Sequence, residues 1–458
     1  MSKIIAVLLA AACALTGIGL SVVNYTEGTP IKATQREYKF DKDTLLIGGY
    51  YGREDELQYA ADADIDFLIT NGISDSYMDT ASRLGVGIIA AGASGMRSFY
   101  GVMNEADGDT WVNYNYANLK DYDALWGVDL IDEPNAPSYA PIQNATSAFY
   151  ANTQKLLPLV NLFPSYANNE QLTEYPEENL LTKICSLFFD SFTNSTMRYK
   201  MYVSDYINTI DTDYICVDIY PYSATLNAAG ETVKVTNTSW LRNLDLLAEA
   251  CRETGRDLWV ITQAAGETPD AKGEDEQGRP RWCDEKSDIN QQAYASLAFG
   301  TKAVIHGLFG RDGWWDSDSH MIGSDGKPTE TYYAAQAVNA ELKAFADVYG
   351  SYQYRSTYLL NKRKVAGTET AVFNCTVESE KGNISSKNGL LVGTFDGDGK
   401  GYVIANMEEL NKNVTATAKV TVPGGKTATV YQAGEAKTFT SDFTVTLTPG
   451  EGVFVTVK

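Results

Sequence analysis

Short apolar runs alternate with amphipathic segments through most of the chain. Eight of the runs are apolar almost without interruption, which is typical of strands buried on both faces. Between them, apolar residues recur every three or four positions, as in 241–251 and 291–299, and this spacing predicts helices. The predicted strands are 45–50, 65–70, 86–91, 126–132, 157–162, 214–220, 258–262 and 303–309.

This alternation of strands and helices indicates the fold class. Eight strands with intervening helices over ~300 residues predict an α/β fold of the TIM (β/α)₈ barrel type, here over 44–350. A helix over 331–348 would close the barrel. A doubly wound sheet is disfavoured, because the first strand is not followed by a Gly-rich turn.

The pattern changes from about Tyr352 onward to short alternating strands separated by Gly-rich turns, for example 390–395, 402–406 and 453–457. We therefore predict a small antiparallel β-sandwich domain over 351–458. The turn at 396–401 resembles a calcium loop. However, Lys400 and Met407 stand where oxygen ligands belong, so a hairpin turn is the better interpretation.

The first residues predict export. Lys3 precedes an apolar run from Ile4 to Val23, which is longer than most secretory signals and near the ~20 residues that a membrane-spanning helix needs. We therefore expect 1–23 to be a signal peptide or a membrane anchor and 24–43 to be a linker. The expected location is extracellular or at the cell surface, with membrane attachment left open.

Charge and composition narrow the function. The formal net charge is −22, from 59 acidic and 37 basic residues, so nucleic acid is disfavoured as a partner. The negative charge does not disfavour neutral sugars as ligands. The 29 Tyr and 7 Trp residues supply aromatic faces on which sugar rings can stack. The two histidines, His306 and His320, are too few for a barrel metallohydrolase. The scattered cysteines indicate neither a zinc site nor a disulfide framework, and we expect no cofactor or metal.

The candidate catalytic and binding residues lie at the carboxyl ends of the strands, where barrel enzymes carry their active sites. The fourth strand ends in Asp132-Glu133-Pro134, and the sixth runs into Tyr220. The first strand ends with Tyr50, the seventh with Gln263, and the eighth leads to Trp314 and Trp315. Carboxylates and aromatic rings converging on one rim are typical of a sugar-binding site.

In this order, these residues resemble the clan A glycoside hydrolases, in the broad neighbourhood of families 5 and 42. The resemblance covers about 44–350 and implies that Glu133 is the acid/base, with Asp132 in place of the family's Asn. It also implies that Tyr220 contacts the nucleophile and that Trp314 or Trp315 floors the sugar subsite. A trailing β-domain is similar to the accessory domain that such enzymes often carry.

The sequence departs from the family pattern at the position of the nucleophile. The family has Glu at the end of the seventh strand, where this chain has Gln263, and an amide cannot act as a charged nucleophile. Glu267 is the leading replacement, followed by Asp218, Asp312 and Asp316. Asp129 is disfavoured because it lies deeper along the same strand as Glu133, and Asp132 is expected to face away from Glu133.

Two functions remain open. The first is an exported glycoside hydrolase acting on β-linked glycans, with Glu133 and Glu267 as catalytic residues and Tyr50, Asp132, Tyr220, Gln263, Trp314 and Trp315 binding substrate. The second is a catalytically inactive barrel that binds glycans at a cell surface. For single residues, structural roles compete: His306 is expected in the core, and Arg53 and Arg311 in surface ion pairs.

Overall fold

The computed structural model describes residues 29–71, 74–91, 122–153, 155–172, 194–266, 282–283, 285–313, 317–361, 364–366 and 384–458. Its first part is a closed barrel of eight parallel strands. The barrel strands are β1 (Leu46–Tyr50), β2 (Phe67–Thr70), β3 (Gly87–Ala90), β4 (Leu125–Asp132), β5 (Leu157–Leu162), β6 (Tyr214–Ile219), β9 (Asp257–Gln263) and β10 (Thr301–Gly307).

All eight predicted strands are confirmed, and so is the TIM barrel. Their order around the barrel is β1-β2-β3-β4-β5-β6-β9-β10, with β10 pairing back onto β1. Alternate side chains fill the barrel interior, among them Phe67, Leu159 and Ile261. The other side chains pack outward against the helices, where Leu68, Val160 and Val260 belong to a second cluster. Burial on both faces explains why the strands are apolar throughout.

Helices alternate with the barrel strands. They are α1 (Leu57–Asp62), α2 (Asp75–Leu84), α3 (Tyr139–Asn152), α4 (Asn169–Leu172), α5 (Asn194–Thr209), α6 (Trp240–Thr254), α7 (Lys286–Ala298), α8 (Glu330–Lys343) and α9 (Ala346–Gly350). Local signals set their ends: the Ser74 hydroxyl accepts a hydrogen bond from the Tyr77 amide at the start of α2, and Gly85 ends that helix with φ 73°.

Residues 29–43, predicted as a linker, form a packed strap across the amino-terminal end of the barrel. The amide of Ile31 donates to the Ile207 carbonyl, and that of Ala33 to the Thr254 carbonyl, both at 2.9 Å. Phe40 enters the inner core, with its ring 5.1 Å from that of Trp126 and 6.0 Å from that of Trp259. The strap therefore closes the barrel floor.

A two-stranded hairpin follows β6 and was not predicted. It consists of β7 (Tyr222–Leu226) and β8 (Thr232–Thr236), which pair antiparallel. Its first strand is buried at Tyr222 and Ser223, whereas Leu226 at the tip is exposed. The hairpin thus extends the chain outward from the carboxyl end of β6.

The predicted β-sandwich is confirmed. Its strands are β11 (Gln353–Leu360), β12 (Ile384–Ser385), β13 (Leu390–Gly397), β14 (Gly399–Asn406), β15 (Ala416–Val420), β16 (Ala428–Gln432), β17 (Glu435–Phe439), β18 (Phe443–Leu447) and β19 (Gly452–Val457). A six-stranded sheet, in the order β11-β13-β14-β19-β16-β17, faces a three-stranded sheet, β12-β15-β18. The 396–401 segment joins β13 to β14 as a hairpin, in which Gly397 pairs with Gly399.

The sandwich packs on α7 of the barrel. The buried Gln291 amide donates to the carbonyls of Asn406 and Glu408 at 3.2 and 3.0 Å. The Thr357 hydroxyl donates to the Ala298 carbonyl at 2.7 Å. Gly393 lies so close that an added Cβ would stand 2.1 Å from the same carbonyl oxygen. The two parts therefore share a tight, hydrogen-bonded interface.

The predicted leader, 1–23, lies outside the described residues. None of the helices that the structure describes combines the length and the apolar character of a membrane span. Export and membrane attachment therefore stay predictions from the sequence.

Candidate active site

The described candidates from β1, β4 and β6 lie at the carboxyl-terminal rim of the barrel. Tyr50 ends β1, Asp132 ends β4 with Glu133 next in the chain, and Tyr220 follows β6. Tyr50 and Tyr220 are almost fully buried and belong to the inner core, whereas Asp132 is exposed and Glu133 is half-buried. Parallel strands ending at one rim thus bring residues distant in sequence to one site.

An irregularity in β4 places two of its acidic residues at the same site. Asp129 is opposite Leu159 on β5, but the register then shifts, so that Ile131 is opposite Val160 and Asp132 opposite Asn161. An extra residue in one strand reverses the side-chain alternation beyond it. As a result Asp129 and Asp132 interact electrostatically, although they are three positions apart.

Glu133 has a left-handed backbone conformation, which is rare for residues other than glycine. Its φ is 48°, in the left-handed region that is unfavourable for residues with a Cβ atom. Pro134 follows it, and proline normally keeps the preceding residue extended. The Glu133 amide donates to the Asn161 carbonyl at 2.8 Å, and the Tyr202 hydroxyl donates to the Pro134 carbonyl at 2.7 Å. These bonds hold the strained turn in place, as is common at functional sites.

Asn161 connects the acidic residues of β4 and β6. Its Nδ2 group donates to Asp132 at 2.9 Å and to Asp218 at 3.1 Å. Asn161 is 3% exposed, and its Oδ1 atom has no hydrogen-bond partner among the described residues. The amide therefore fixes the two carboxyls beside each other and beside Glu133.

The electrostatics of this cluster favour protonated carboxyl groups. Burial, together with the charge of Asp218 and then that of Asp132, raises the pKa of Glu133 to about 9. Burial and the Asp132 charge raise the pKa of Asp129 to about 8, against the opposing bond from Tyr50. Desolvation by the surrounding protein also raises the pKa of Asp132, against the opposing hydrogen bond from Asn161. Glu133 can therefore keep its proton at neutral pH.

The two tyrosines border this cluster. The Tyr50 hydroxyl donates to Asp129 at 3.3 Å, and its ring contacts that of Tyr51 edge-on, with 5.0 Å between centroids. Burial, aided by the charges of Asp218, Asp132 and Glu133, raises the pKa of Tyr220 well above its ordinary value. Both hydroxyls stay neutral, so they can donate hydrogen bonds to a ligand or to a carboxylate.

Gln263 has a structural role in this fold. The side chain is fully buried, and its Oε1 atom accepts from the Tyr222 amide at 3.0 Å. Its Nε2 atom donates to the carbonyls of Tyr222 and Ala265, both at 3.2 Å. Gln263 therefore joins the end of β9 to the β7–β8 hairpin, and binding a sugar would require these bonds to break. The predicted substrate contact stays a prediction.

The β4 register corrects one expectation about acidic partners. Asp132 was expected to face away from Glu133, but its charge acts on Glu133. Asp129 interacts with Asp132, and it stays disfavoured as the partner of Glu133. Asp312 is instead held in an exposed ion pair with Arg53, 2.6 Å away, which lowers its pKa. Glu267, Trp314, Trp315 and Asp316 lie outside the described residues.

The remaining polar candidates have structural partners. His306 is fully buried and lies 2.8 Å from Asn339 through Nε2, as expected for a core histidine. Arg311 pairs with Asp55 and Glu56 at 2.6 and 3.1 Å, so both arginines form the predicted ion pairs. Within the described ranges, no group of three or more His, Cys, Asp or Glu side chains is arranged to hold a metal ion.

Asn161 was not predicted, and Asp218 was placed second to Glu267, which lies outside the described residues. An Asn inside the apolar run 157–162 was a usable signal, since a buried amide needs polar partners. Asp218 lies two residues before Tyr220, and alternation alone would place both on one face of the strand.

No family model matches the chain. No curated protein matches it either. Among solved structures, it is similar to a β-galactosidase from the haloarchaeon Halorubrum lacusprofundi at 12% identity, over 66% of this chain and 58% of that chain, with a TM-score of 0.36. A β-galactosidase from Marinomonas ef1 matches at 11% identity over 67% and 60%, with a TM-score of 0.35.

An endoglucanase from Pseudomonas stutzeri matches at 12% identity, over 65% of this chain and 95% of that chain, with a TM-score of 0.38. This chain spans 58% and 60% of the length of the two β-galactosidase structures. Likeness at this level carries no argument about activity.

Proposed function

We propose that this protein is an exported glycoside hydrolase that cleaves β-linked glycans with Glu133 as the general acid. The observation that carries the proposal is a carboxyl at the barrel mouth whose pKa is raised to about 9 by burial and by neighbouring carboxylates. A general acid must hold its proton at the working pH and release it to the leaving oxygen. Glu133 meets the first condition, because its burial and the neighbouring carboxylates keep it protonated at neutral pH.

Asp218 is the second carboxylate in this proposal. It contributes the largest charge effect on the pKa of Glu133, and Asn161 orients it through a 3.1 Å hydrogen bond. The bond between the anomeric carbon and the leaving oxygen breaks as that oxygen takes the Glu133 proton. The anomeric carbon then bonds either to a water oxygen whose proton passes to Asp218, or to Asp218 itself; in the second case water later displaces Asp218 and gives its proton to Glu133. Glu267 stays the alternative for this role.

The proposed substrate class rests on the side chains that line the site. Tyr50 and Tyr220 offer neutral hydroxyls, and the acidic cluster offers acceptors for sugar hydroxyls. The β linkage is what the sequence resemblance to clan A implies. Export rests on the apolar run from Ile4 to Val23.

A glycan-binding protein without catalysis is the second candidate. Gln263, where the resembled family carries its nucleophile, favours it, because that side chain is locked onto the main chain of Tyr222 and Ala265. Under this candidate the cluster around Glu133 would bind sugar hydroxyls, and its carboxyls would transfer no protons.

Hydrolysis of aryl β-glycosides and β-linked polysaccharides by the full chain separates the two. We expect turnover that falls by about 10²–10⁴-fold in Glu133→Gln. Glu249→Gln is the matched control, since Glu249 is exposed on α6, away from the rim, and should leave turnover unchanged. Sugar binding without turnover in the unaltered protein would favour the second candidate.

A further inference from the structure

A cavity of about 800 Å³ lies between the barrel and the β-sandwich. Its walls come from β8, from Trp282 and the start of α7, from Glu341 of α8, and from sandwich residues within 410–413 and 448–451. Among the described residues that line it, none belongs to the cluster around Glu133. Its volume falls in the range of roughly 300–1,000 Å³ that is typical of small-molecule sites. The cavity is therefore a candidate binding site separate from the mouth of the barrel.

Hydrogen bonds hold the walls of this cavity in place. The Trp282 amide donates to the Tyr222 carbonyl at 3.2 Å, which ties the segment before α7 to β7. The Asn411 side chain donates to the Lys234 carbonyl at 3.5 Å, so the sandwich contacts β8 directly. The Gln291 side chain joins α7 to two sandwich carbonyls. The cavity is thus formed before any ligand arrives, and binding requires little further ordering of the protein.

The two lysines that line the cavity are already paired. Lys234 lies 2.5 Å from Asp288, which is fully buried. Lys286 lies 2.5 Å from Glu341. A phosphate or carboxylate ligand would therefore have to compete with these carboxylates for the positive charge. The lining favours an uncharged ligand over an anionic one.

Asn290, in the second turn of α7, brings an unused hydrogen-bond acceptor to the cavity. The residue is 4% exposed, and its Oδ1 atom has no hydrogen-bond partner among the described residues. A buried acceptor without a donor costs free energy unless a ligand or water supplies one. A hydroxyl group can donate to this oxygen without bringing a charge.

Trp282 brings an aromatic ring to the same cavity and is half-buried. The Lys234 ammonium lies 5.1 Å from the centroid of this ring, a contact that helps to fix the orientation of the ring. Asn411 and Asn413, both exposed, add side-chain amides from the sandwich. An aromatic ring can pack on the C–H face of a sugar while neighbouring amides bond to its hydroxyls. The lining therefore matches a sugar.

We infer that this cavity binds a stretch of an uncharged glycan chain, separately from the site around Glu133. The inference goes beyond the proposed hydrolase function, because binding here uses none of the proposed catalytic residues. A glycan is favoured over a peptide that would add a strand to β8. Such a peptide needs the main-chain groups of β8, and the Lys234 carbonyl already accepts from Asn411.

Calorimetry with uncharged oligosaccharides tests the inference. The titrated protein is the full chain with Glu133→Gln, so that turnover does not interfere. The probes are the β-linked hexamers of 1,4-glucose, 1,3-glucose, 1,4-mannose, 1,4-xylose and 1,4-N-acetylglucosamine. We expect at least one hexamer to bind and the additional change Asn290→Ala to raise its Kd about fivefold, the effect of one lost hydrogen bond. Trp282→Ala should raise the Kd about tenfold, and Trp282→Phe, which keeps a ring, should raise it less.

Asn208→Ala is the matched control for Asn290→Ala. Asn208 is a half-buried amide on α5 whose Oδ1 atom also lacks a partner among the described residues, but it does not line the cavity. Its removal should leave the Kd unchanged. Asn411→Ala alters only an exposed side chain, so it tests the same cavity if circular dichroism shows that a buried substitution unfolds the chain.

The outcomes separate this site from the proposed activity. If no hexamer binds, or if a bound hexamer is held equally well by the folded cavity variants and the Asn208→Ala control, the inference is overturned and the hydrolase proposal is unaffected. Binding that weakens only in the cavity variants supports the inference, whether or not the unaltered protein cleaves any glycan.

Discussion

The main-chain amide of Glu133 donates a 2.8 Å hydrogen bond to the carbonyl oxygen of Asn161. The same asparagine holds Asp218 with its side chain. One residue of β5 therefore positions both the acid proposed for catalysis and its partner carboxylate. Changes in this small unit should be visible in titration, in stability and in turnover.

Asp218→Asn should move the pKa of Glu133 down from about 9, because Asp218 is the largest charge that raises it. The substituted amide keeps an oxygen that can accept from Asn161. NMR titration of ¹³C-labelled glutamate side chains, assigned with Glu133→Gln, measures the pKa. Asp79→Asn removes the same charge from an exposed helix position and should leave the titration in place. An unchanged pKa of Glu133 in Asp218→Asn would show that the two carboxyl groups do not interact.

Asp129→Asn should stabilise the protein, and increasingly so as pH rises. The pKa of Asp129 is raised from 3.8 to about 8, so between these values the unfolded chain has released a proton that the folded chain retains. The unaltered protein then loses up to about 1.4 kcal/mol of stability per pH unit from this group. Urea unfolding at pH 4, 6 and 8 checks the trend. Parallel curves for the two proteins would contradict it.

Glu133→Gly should give a more stable protein than Glu133→Ala, by about 1 kcal/mol, because glycine tolerates the φ of 48°. At ordinary positions the order is reversed. The same pair of substitutions at Glu249, exposed on α6, should therefore favour alanine by about 1 kcal/mol. Urea unfolding of the four variants measures both differences. The same order at both sites would mean that the turn at Glu133 is unstrained.

Gln263→Glu should not raise turnover above that of the unaltered protein, and it should lower stability by roughly 2–4 kcal/mol. The new carboxylate would face the carbonyls of Tyr222 and Ala265 in a fully buried position. Gln336→Glu is the matched control, since that half-buried amide also donates to a carbonyl, at 2.8 Å, but on the barrel surface. Thermal unfolding and glycosidase assays give the two readouts. Higher turnover in Gln263→Glu than in the unaltered protein would instead identify position 263 as that of a disabled nucleophile.

Gly393→Ala should weaken the docking of the sandwich on α7, because the added Cβ would stand 2.1 Å from the Ala298 carbonyl oxygen. We expect a loss of about 1–3 kcal/mol. Gly424→Ala places the same methyl group where no atom lies within 4 Å and should be tolerated. Thermal unfolding compares the two. Equal melting temperatures would show that this contact is loose.

The barrel strands were predictable because burial on both faces leaves a clear signal in the sequence. The run 157–162, for example, is a strand over the same residues in the structure. The register shift in β4 was not predictable, because it depends on how Asp129 and Ile131 face β5. The role of Gln263 was also not predictable, since its partner Tyr222 lies on the β7–β8 hairpin, 41 positions away in the chain. Local sequence patterns thus predicted which residues lie at the carboxyl-terminal rim of the barrel. Which of these residues contact one another depends on strand register and on contacts between distant parts of the chain.

The strap at 29–43 also determines how the protein is oriented with respect to whatever precedes it. Its hydrogen bonds to Ile207 and Thr254 place residue 31 and residue 33 at the base of the barrel, opposite the opening that holds Glu133. Were the apolar run 4–23 retained as a membrane anchor, which the sequence leaves open beside a cleaved signal peptide, the base of the barrel would lie toward the bilayer. The opening would then point away from the cell and toward glycans in the surrounding medium.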